Sequence, residues 1–252
     1  VIARHGVGYE NVDVARATEL GIWVTFTPES NANTVAEHTI GCIIALARNF
    51  VRSDCELRRG NWNFRNQVMG TDLGGKVLGV VGLGKIGRRV AKKAALGLDM
   101  KVLAYDPHLG AEQAPEYVTP AASWEELFSI SDFVTLHIPG GQKTKGIVSR
   151  REFSMMKKSA FLINAARGDI VNEGDLIEAL LQGTIAGVAL DVYAQEPPDP
   201  ETPLLSMNNA MLTPHNAAHT RECLVRMAHD AARGIDEVLT GKRPTWPVNE
   251  IA

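Results

Sequence analysis

The chain has 252 residues, 45% of them apolar and 22% charged, with 26 Lys and Arg against 29 Asp and Glu. That makeup excludes a disordered chain, and a net charge of −3 gives no electrostatic reason to expect nucleic acid or an anionic membrane as partner. The apolar runs, such as 43–47 and 77–81, fall far short of the roughly 18 residues that a membrane span needs.

In chain order, a helix is predicted over 11–20, closed by Gly21, then a strand over 22–26 and a polar loop, Thr27-Pro28-Glu29-Ser30-Asn31. A long helix is predicted from Thr34 to Gly60, with Ile40, Ile43, Ile44 and Ala47 on one face. From Lys76 onward short β-branched runs at 76–81, 101–105, 133–138, 160–163, 186–190 and 210–212 alternate with helical segments. Such alternation predicts an α/β fold with a parallel, doubly wound sheet. Ser123, Ser149 and Asn172 read as helix N-caps, and Gly183 as a stop. A last helix is predicted over 220–240, ending at Gly241 and followed by an extended tail. The three cysteines, Cys42, Cys55 and Cys223, are odd in number and lack CxxC spacing, so neither a disulfide framework nor a metal site is suggested. A reducing, cytoplasmic setting is expected. The chain opens on Val1 in mid-pattern, which reads as a fragment.

The strand ending at Val81 runs into Gly82-Leu83-Gly84-Lys85-Ile86-Gly87, and a helix follows at once. Glycines at those three places allow a tight turn, a close approach of backbone to a pyrophosphate and close packing of helix on strand. The next strand ends in Asp106, 19 residues past Gly87, where an acid can accept hydrogen bonds from an adenosine ribose. A ligand-free packing turn is the bland alternative. Between Asp106 and Gln142 there is no Lys or Arg, whereas Asp106, Glu112, Glu116, Glu125, Glu126 and Asp132 are acidic. A 2′-phosphate would meet repulsion there, so NAD rather than NADP is expected.

Ligands of open α/β sheets sit outside the carboxyl ends of the strands. Three such ends lead into Asn164-Ala165-Ala166-Arg167-Gly168-Asp169, into Asp191 and then Glu196, and into Thr213-Pro214-His215. Singly, Arg167 could pair with a surface acid, Glu196 could be a solvated loop acid and His215 a packed histidine. Together they cohere: a carboxylate beside an imidazole favours its protonated form, a general acid for a carbonyl oxygen or, in reverse, a base for a hydroxyl. Arg167 can take a substrate carboxylate bidentately. Of the other histidines, His38 falls in the long helix, His137 ends a strand, His219 competes with His215, and His5, His108 and His229 read as surface positions. Arg88, Arg89, Lys92 and Lys93 read as a solvated helix face.

Gly6 to Asp13, Asn33-Thr34-Val35-Ala36-Glu37-His38, Gly82 to Gly87, Asn164 to Asp169, Asp191 to Pro197 and Pro214-His215 together resemble the D-isomer-specific 2-hydroxyacid dehydrogenases. Within that family Gly60-Asn61-Trp62 and Met69 to Lys76 are most similar to the D-3-phosphoglycerate dehydrogenases. The resemblance implies a Rossmann domain over 31–219, with 1–30 and 220–252 as the remnant of a discontinuous, flavodoxin-like substrate domain lacking its N-terminal part. It implies Arg167 as substrate anchor, Glu196 as partner of the histidine and His215 as proton donor. Lys85, Ile86, Asp106, Ile138, Ala165, Ala166 and Asp191 would line the dinucleotide, Asp191 near the nicotinamide amide, with Asn216, Ala217 and Ala218 beside it. The Gly6-Val7-Gly8 turn would offer backbone N–H groups to the substrate carboxylate, with Val7 also near the cofactor. The helix from Thr34 would help form a homodimer. Asn216-Ala217-Ala218 departs from the family's commoner apolar-Gly/Ala-Gly/Ser pattern.

The activity implied is NAD-dependent interconversion of a D-2-hydroxy acid and its 2-keto acid, with 3-phosphoglycerate/3-phosphohydroxypyruvate favoured over hydroxypyruvate or glyoxylate. Formate oxidation is disfavoured, because the family's formate enzymes pair the histidine with an amide where this chain has Glu196. An NADH-sensing, corepressor-like binding protein is the reading from a different class, and a truncated chain that binds NAD without turnover is a third.

Overall fold

The computed structural model describes residues 1–108, 110 and 113–251; Glu112, counted among the acids above, lies outside the described residues. The chain divides into two compact units, one of 1–35 with 218–252 and the other of 36–217.

The larger unit is built on a seven-stranded, wholly parallel sheet. Its strands are β3 (Val77–Val81), β4 (Lys101–Tyr105), β5 (Val118–Pro120), β6 (Phe133–Leu136), β7 (Phe161–Asn164), β8 (Gly187–Leu190) and β9 (Ala210–Leu212), in the order β5-β4-β3-β6-β7-β8-β9. The chain thus winds outward from β3 to β5, then crosses back to β6 and winds the other way. A crevice opens at that switch, outside the ends of β3 and β6. Helices α4 (Lys85–Leu98), α5 (Trp124–Ile130), α6 (Arg150–Met155) and α7 (Glu173–Leu181) fill the crossovers. The inner strands β3, β6, β7 and β8 are almost continuously buried, as expected of a sheet covered on both faces, whereas the edge strands β5 and β9 are more open. Alternate residues feed two cores: Val134 and Leu136 pack with Phe153 and Leu176 on one face, Phe133 with Ile43 and Val90 on the other.

Ser123, Ser149 and Asn172 do cap α5, α6 and α7; Ser149 and Glu152 form a capping box. The predicted helix from Thr34 to Gly60 is two helices, α2 (Ala32–Ala47) and α3 (Phe50–Arg58). The break is at Asn49, which adopts φ 53°, and its N–H turns back to Leu46 O. Asn tolerates that left-handed conformation better than most residues, so a polar residue in an otherwise helical pattern is here the end of one helix. The strand predicted over 133–138 stops at Leu136, and β5, a three-residue edge strand ending in Pro120, had no sequence counterpart.

In the smaller unit β1 (Ile2–Ala3) and β2 (Val24–Thr25) form a short parallel pair linked through α1 (Val14–Glu19). The strand predicted over 22–26 is therefore only its centre. Asn249 returns from the tail to accept the Val24 N–H, and α8 (Arg221–Leu239) starts on a Thr220 cap.

Candidate active site

Parallel register sets the site. Val81 is level with Tyr105 on β4 and Leu136 on β6; Leu136 is level with Asn164, Asn164 with Leu190, and Leu190 with Leu212. The next residue along each strand, Asp106, Gly82, His137, Ala165, Asp191 and Thr213, therefore forms one row along the carboxyl edge.

At the β3/β6 end of that row lies a cavity of about 760 Å³, lined by Gly82, Gly84, Asp106, Ile138, Trp124 and Lys143 among others. Gly82 has φ +88° and its N–H donates to Tyr105 O; a Cβ there would lie 2.6 Å from His137 O. A Cβ on Gly87 would lie 2.0 Å from Gly82 O, so that glycine is what lets α4 reach the loop. Gly84, by contrast, is the uncapped N-cap of α4, and a Cβ on it would enter open space. The first turn of a 14-residue helix, whose N–H groups have no acceptor within the helix, thus opens on room for an anion. Asp106 steadies the loop, accepting the Leu83 N–H on one carboxylate oxygen and the His108 N–H on the other, and each oxygen keeps a lone pair for a ribose hydroxyl. Arg88, read from sequence as part of a solvated face, instead turns back to donate to Leu83 O and braces the same loop, while Arg89 donates to Lys85 O. The residues present fit a dinucleotide. Lys143 and Arg151 reach the cavity wall from beyond the cation-free run; Arg151 is held by Glu125 and Glu152.

His137 has its Nε2 3.0 Å from Thr135 Oγ1, and its buried Nδ1 has no hydrogen-bond partner among the described residues. Burial pushes its pKa down to about 3, so the ring at this wall of the cavity is neutral.

At the β7–β9 end, His215 Nδ1 is 2.7 Å from Glu196 Oε2, and Glu196 Oε1 accepts the Tyr193 N–H. Glu196 thereby fixes His215 with a protonated Nδ1 and leaves Nε2 to face a ligand. Both side chains are part-exposed, so a substrate can reach them. Arg167 follows β7, its loop closed by Asn164, which donates to Arg167 O and accepts the Ala166 N–H. A Cβ on Gly168 would lie 1.9 Å from Tyr193 O, so the Arg167 loop packs directly on the segment leading to Glu196. The structure thus brings Glu196 and His215 into contact and sets Arg167 on the adjoining loop.

Asp191 is 2% exposed and accepts hydrogen bonds from Thr213 Oγ1, Asn216 N and Ala217 N. Tyr193, Thr213 and His38 join this group without having been singled out by sequence as parts of a site. Tyr193 Oη donates to Thr213 O, and burial, then Asp191 and Glu196, raise its pKa. His38 Nε2 stands 3.8 Å from Asp191 Oδ1. Ala165 and Ile86 are half-buried and Lys85 exposed near their strand and helix ends. Gly6, Val7, Gly8 and Ala218 belong to the smaller unit, where Gly6 N donates to Thr27 Oγ1.

Residues 40–217 match the model of the "D-isomer specific 2-hydroxyacid dehydrogenase, NAD binding domain". The chain is 40% identical over 241 residues to D-3-phosphoglycerate dehydrogenase of Archaeoglobus fulgidus, covering 96% of this chain and 45% of that one. It is 40% identical over 256 residues to glyoxylate reductase of Thermofilum pendens, covering 99% and 75%. The crystal structure of D-lactate dehydrogenase with NAD+ from Lactobacillus jensenii is 29% identical, with a TM-score of 0.87 over 99% of this chain and 78% of that one. The chain spans about half the length of the phosphoglycerate dehydrogenases it matches. No helix among the described residues is long and apolar enough to cross a membrane. With the glycine loop, the edge acid and the Glu196–His215 pair all falling within or beside the matched span, the chain belongs to the D-isomer-specific 2-hydroxyacid dehydrogenases and carries their NAD-binding domain.

Proposed function

We propose that this chain is the catalytic part of an oxidoreductase that interconverts a D-2-hydroxy acid and its 2-keto acid, with 3-phosphoglycerate/3-phosphohydroxypyruvate as the favoured pair. The observation that carries the reading is the 2.7 Å His215–Glu196 contact on the same sheet edge as the dinucleotide loop. In reduction, Arg167 holds the substrate carboxylate through its planar fork. The nicotinamide, when bound, supplies the hydride to the carbonyl carbon. His215 Nε2 gives its proton to the carbonyl oxygen as that oxygen gains charge, and Glu196 stabilises the ring in its charged form. In oxidation His215 takes the hydroxyl proton back. Asp106 would hold the adenosine ribose, and Lys85, Ile86, Ile138 and Ala165 would line the cofactor.

The phosphoglycerate preference is supported by the relatives at about 40% identity. The Thermofilum pendens relative favours glyoxylate or hydroxypyruvate as the second reading. A homodimer is supported by α3 and the turn after it: α3 has no buried residue, and Phe50, Leu57, Trp62 and Met69 are exposed, the last at 93%. A cytoplasmic setting is supported by three free cysteines. An NADH-oxidation screen of the full-length protein over 2-keto acids tests the reading. Turnover of 3-phosphohydroxypyruvate above the others is expected. NADH binding without turnover of any keto acid would instead favour the sensor.

A further inference from the structure

His215 sits in a left-handed conformation, φ 49°, uncommon for a residue with a side chain and persisting only where its surroundings hold it. Its own N–H bonds to Thr213 O, and one buried carboxylate grips the chain on either side of it. Before the histidine, the Thr213 hydroxyl donates to Asp191 Oδ1 at 2.6 Å; after it, the N–H groups of Asn216 and Ala217 donate to Oδ1 and Oδ2, each at 2.9 Å. Asp191 itself is anchored, its N–H bonding to Asn164 O. A carboxylate has about four lone-pair sites, and three are used in gripping the chain on both sides of His215.

The hydroxyl has one proton to give, and Asp191 at 2.6 Å takes it over Leu190 O at 3.4 Å. Its oxygen in turn faces His38 Nε2 at 3.4 Å. With Nε2 carrying the proton, donation runs from His38 through the part-buried Thr213 to the buried Asp191, and each bond polarises the next. Tyr193 fixes the same residue through its carbonyl. Thr213 is thus tied through both its hydroxyl and its carbonyl.

We propose that Thr213 is a positioning residue for His215, acting through Asp191: its hydroxyl closes the clamp that keeps the histidine in its left-handed turn against Glu196. This rests on His215 being the proton donor of the proposed reaction. The test uses Thr213→Val, which keeps the shape and removes the hydroxyl, and Thr213→Ser, which keeps the hydroxyl. Thr213→Val should lower kcat by about tenfold or more, since small displacements of a catalytic group are costly, while the Kd for NADH stays within about twofold. Thr213→Ser should restore kcat, a rescue that a filling role for the methyl group would not give. Amide hydrogen exchange at Asn216 and Ala217 should quicken in the Val variant and return in the Ser variant. An unchanged kcat, or a loss confined to NADH affinity, would overturn the proposal. Should the Val variant fail to fold, Thr213→Ala against Thr213→Ser makes the same comparison. If the wild type turns over no keto acid, the enzymatic reading fails, and exchange at the two amides still decides the clamp: rates equal to wild type in the Val variant would sink it.

Discussion

Two glycines of the phosphate loop make opposite predictions. A Cβ on Gly87 would stand 2.0 Å from Gly82 O, about 1 Å inside the 3.0 Å below which real Cβ contacts essentially never occur, and 3.3 Å from Val80 Cγ1. Gly82 O cannot swing aside as a side-chain tip can, so in Gly87→Ala α4 and the loop must part. Forced overpacking costs about 1–3 kcal/mol, and at about 2–4 °C per kcal/mol for a unit of this size Tm should fall by several degrees. Gly84 has an ordinary φ of −72° and nothing within 4 Å of the place a methyl group would take, so Gly84→Ala should cost no more than about 1 kcal/mol as an N-cap change. That methyl group would, however, enter the room available to a pyrophosphate, and NADH affinity should drop about tenfold or more, some 1.4 kcal/mol. Thermal unfolding and NADH fluorescence titration on both variants separate the effects. If Gly84→Ala binds NADH as the wild type does, the anion does not lie against the helix N-terminus and the account of the cavity is wrong.

His215→Ala should abolish turnover with NADH binding nearly intact; full activity of the purified variant would end the proposed mechanism. Asp106→Ala should weaken NADH and narrow its advantage over NADPH, read as the ratio of kcat/KM values, because it removes both the acid and the acceptor of the Leu83 N–H. His137 is neutral in the fold down to about pH 3 but takes a proton near its ordinary 6.5 when unfolded. Its share of stability is therefore intact above pH 6.5 and is lost as the pH falls towards 3, by up to about 1.4 kcal/mol per pH unit. Urea midpoints of His137→Phe should accordingly fall less between pH 7 and pH 4 than those of the wild type; parallel curves would contradict this. If the chain forms the proposed homodimer through the exposed face of α3 and the turn after it, Trp62→Glu should leave a monomer in sedimentation, and an unchanged dimer mass would exclude that face from the interface.

Strands and caps were legible because they depend on near neighbours. Runs such as Val77–Val81 are too apolar to lie anywhere but between two helical layers, and Ser123, Ser149 and Asn172 act within three residues of themselves. The break at Asn49 was not legible, since an amide at that position suits either a solvent face of a continuing helix or a left-handed terminus. Arg88 misled for a related reason: helical spacing puts it among Arg89, Lys92 and Lys93, and only the turn of the glycine loop brings Leu83 O within 2.9 Å of it. Of the site, Arg167, Glu196 and His215 were legible as chemistry-bearing residues just past strand ends. Thr213 and Tyr193 were not, because a hydroxyl beside a strand end is ordinary until its partner, 22 residues away in the first case, is known.

Register explains how those distant pieces meet. In a parallel sheet each strand begins at the same edge and ends at the other, so the residues one step past β3, β4, β6, β7, β8 and β9 line up whatever the lengths of the loops between them. The two directions of winding then divide that row. Gly82, Asp106 and His137, around the switch, supply the start of the glycine loop, a carboxylate and a neutral ring; beyond it Ala165 and Thr213 lead into a guanidinium and the turn that presents an imidazole, with the buried Asp191 carboxylate between them. Under the proposed mechanism the first group holds the adenosine end of the dinucleotide and the second leads to the proton donor, with Ala165 also lining the cofactor. On that reading Thr213→Val lowers kcat far more than NADH affinity, because what it loosens is the turn that presents His215.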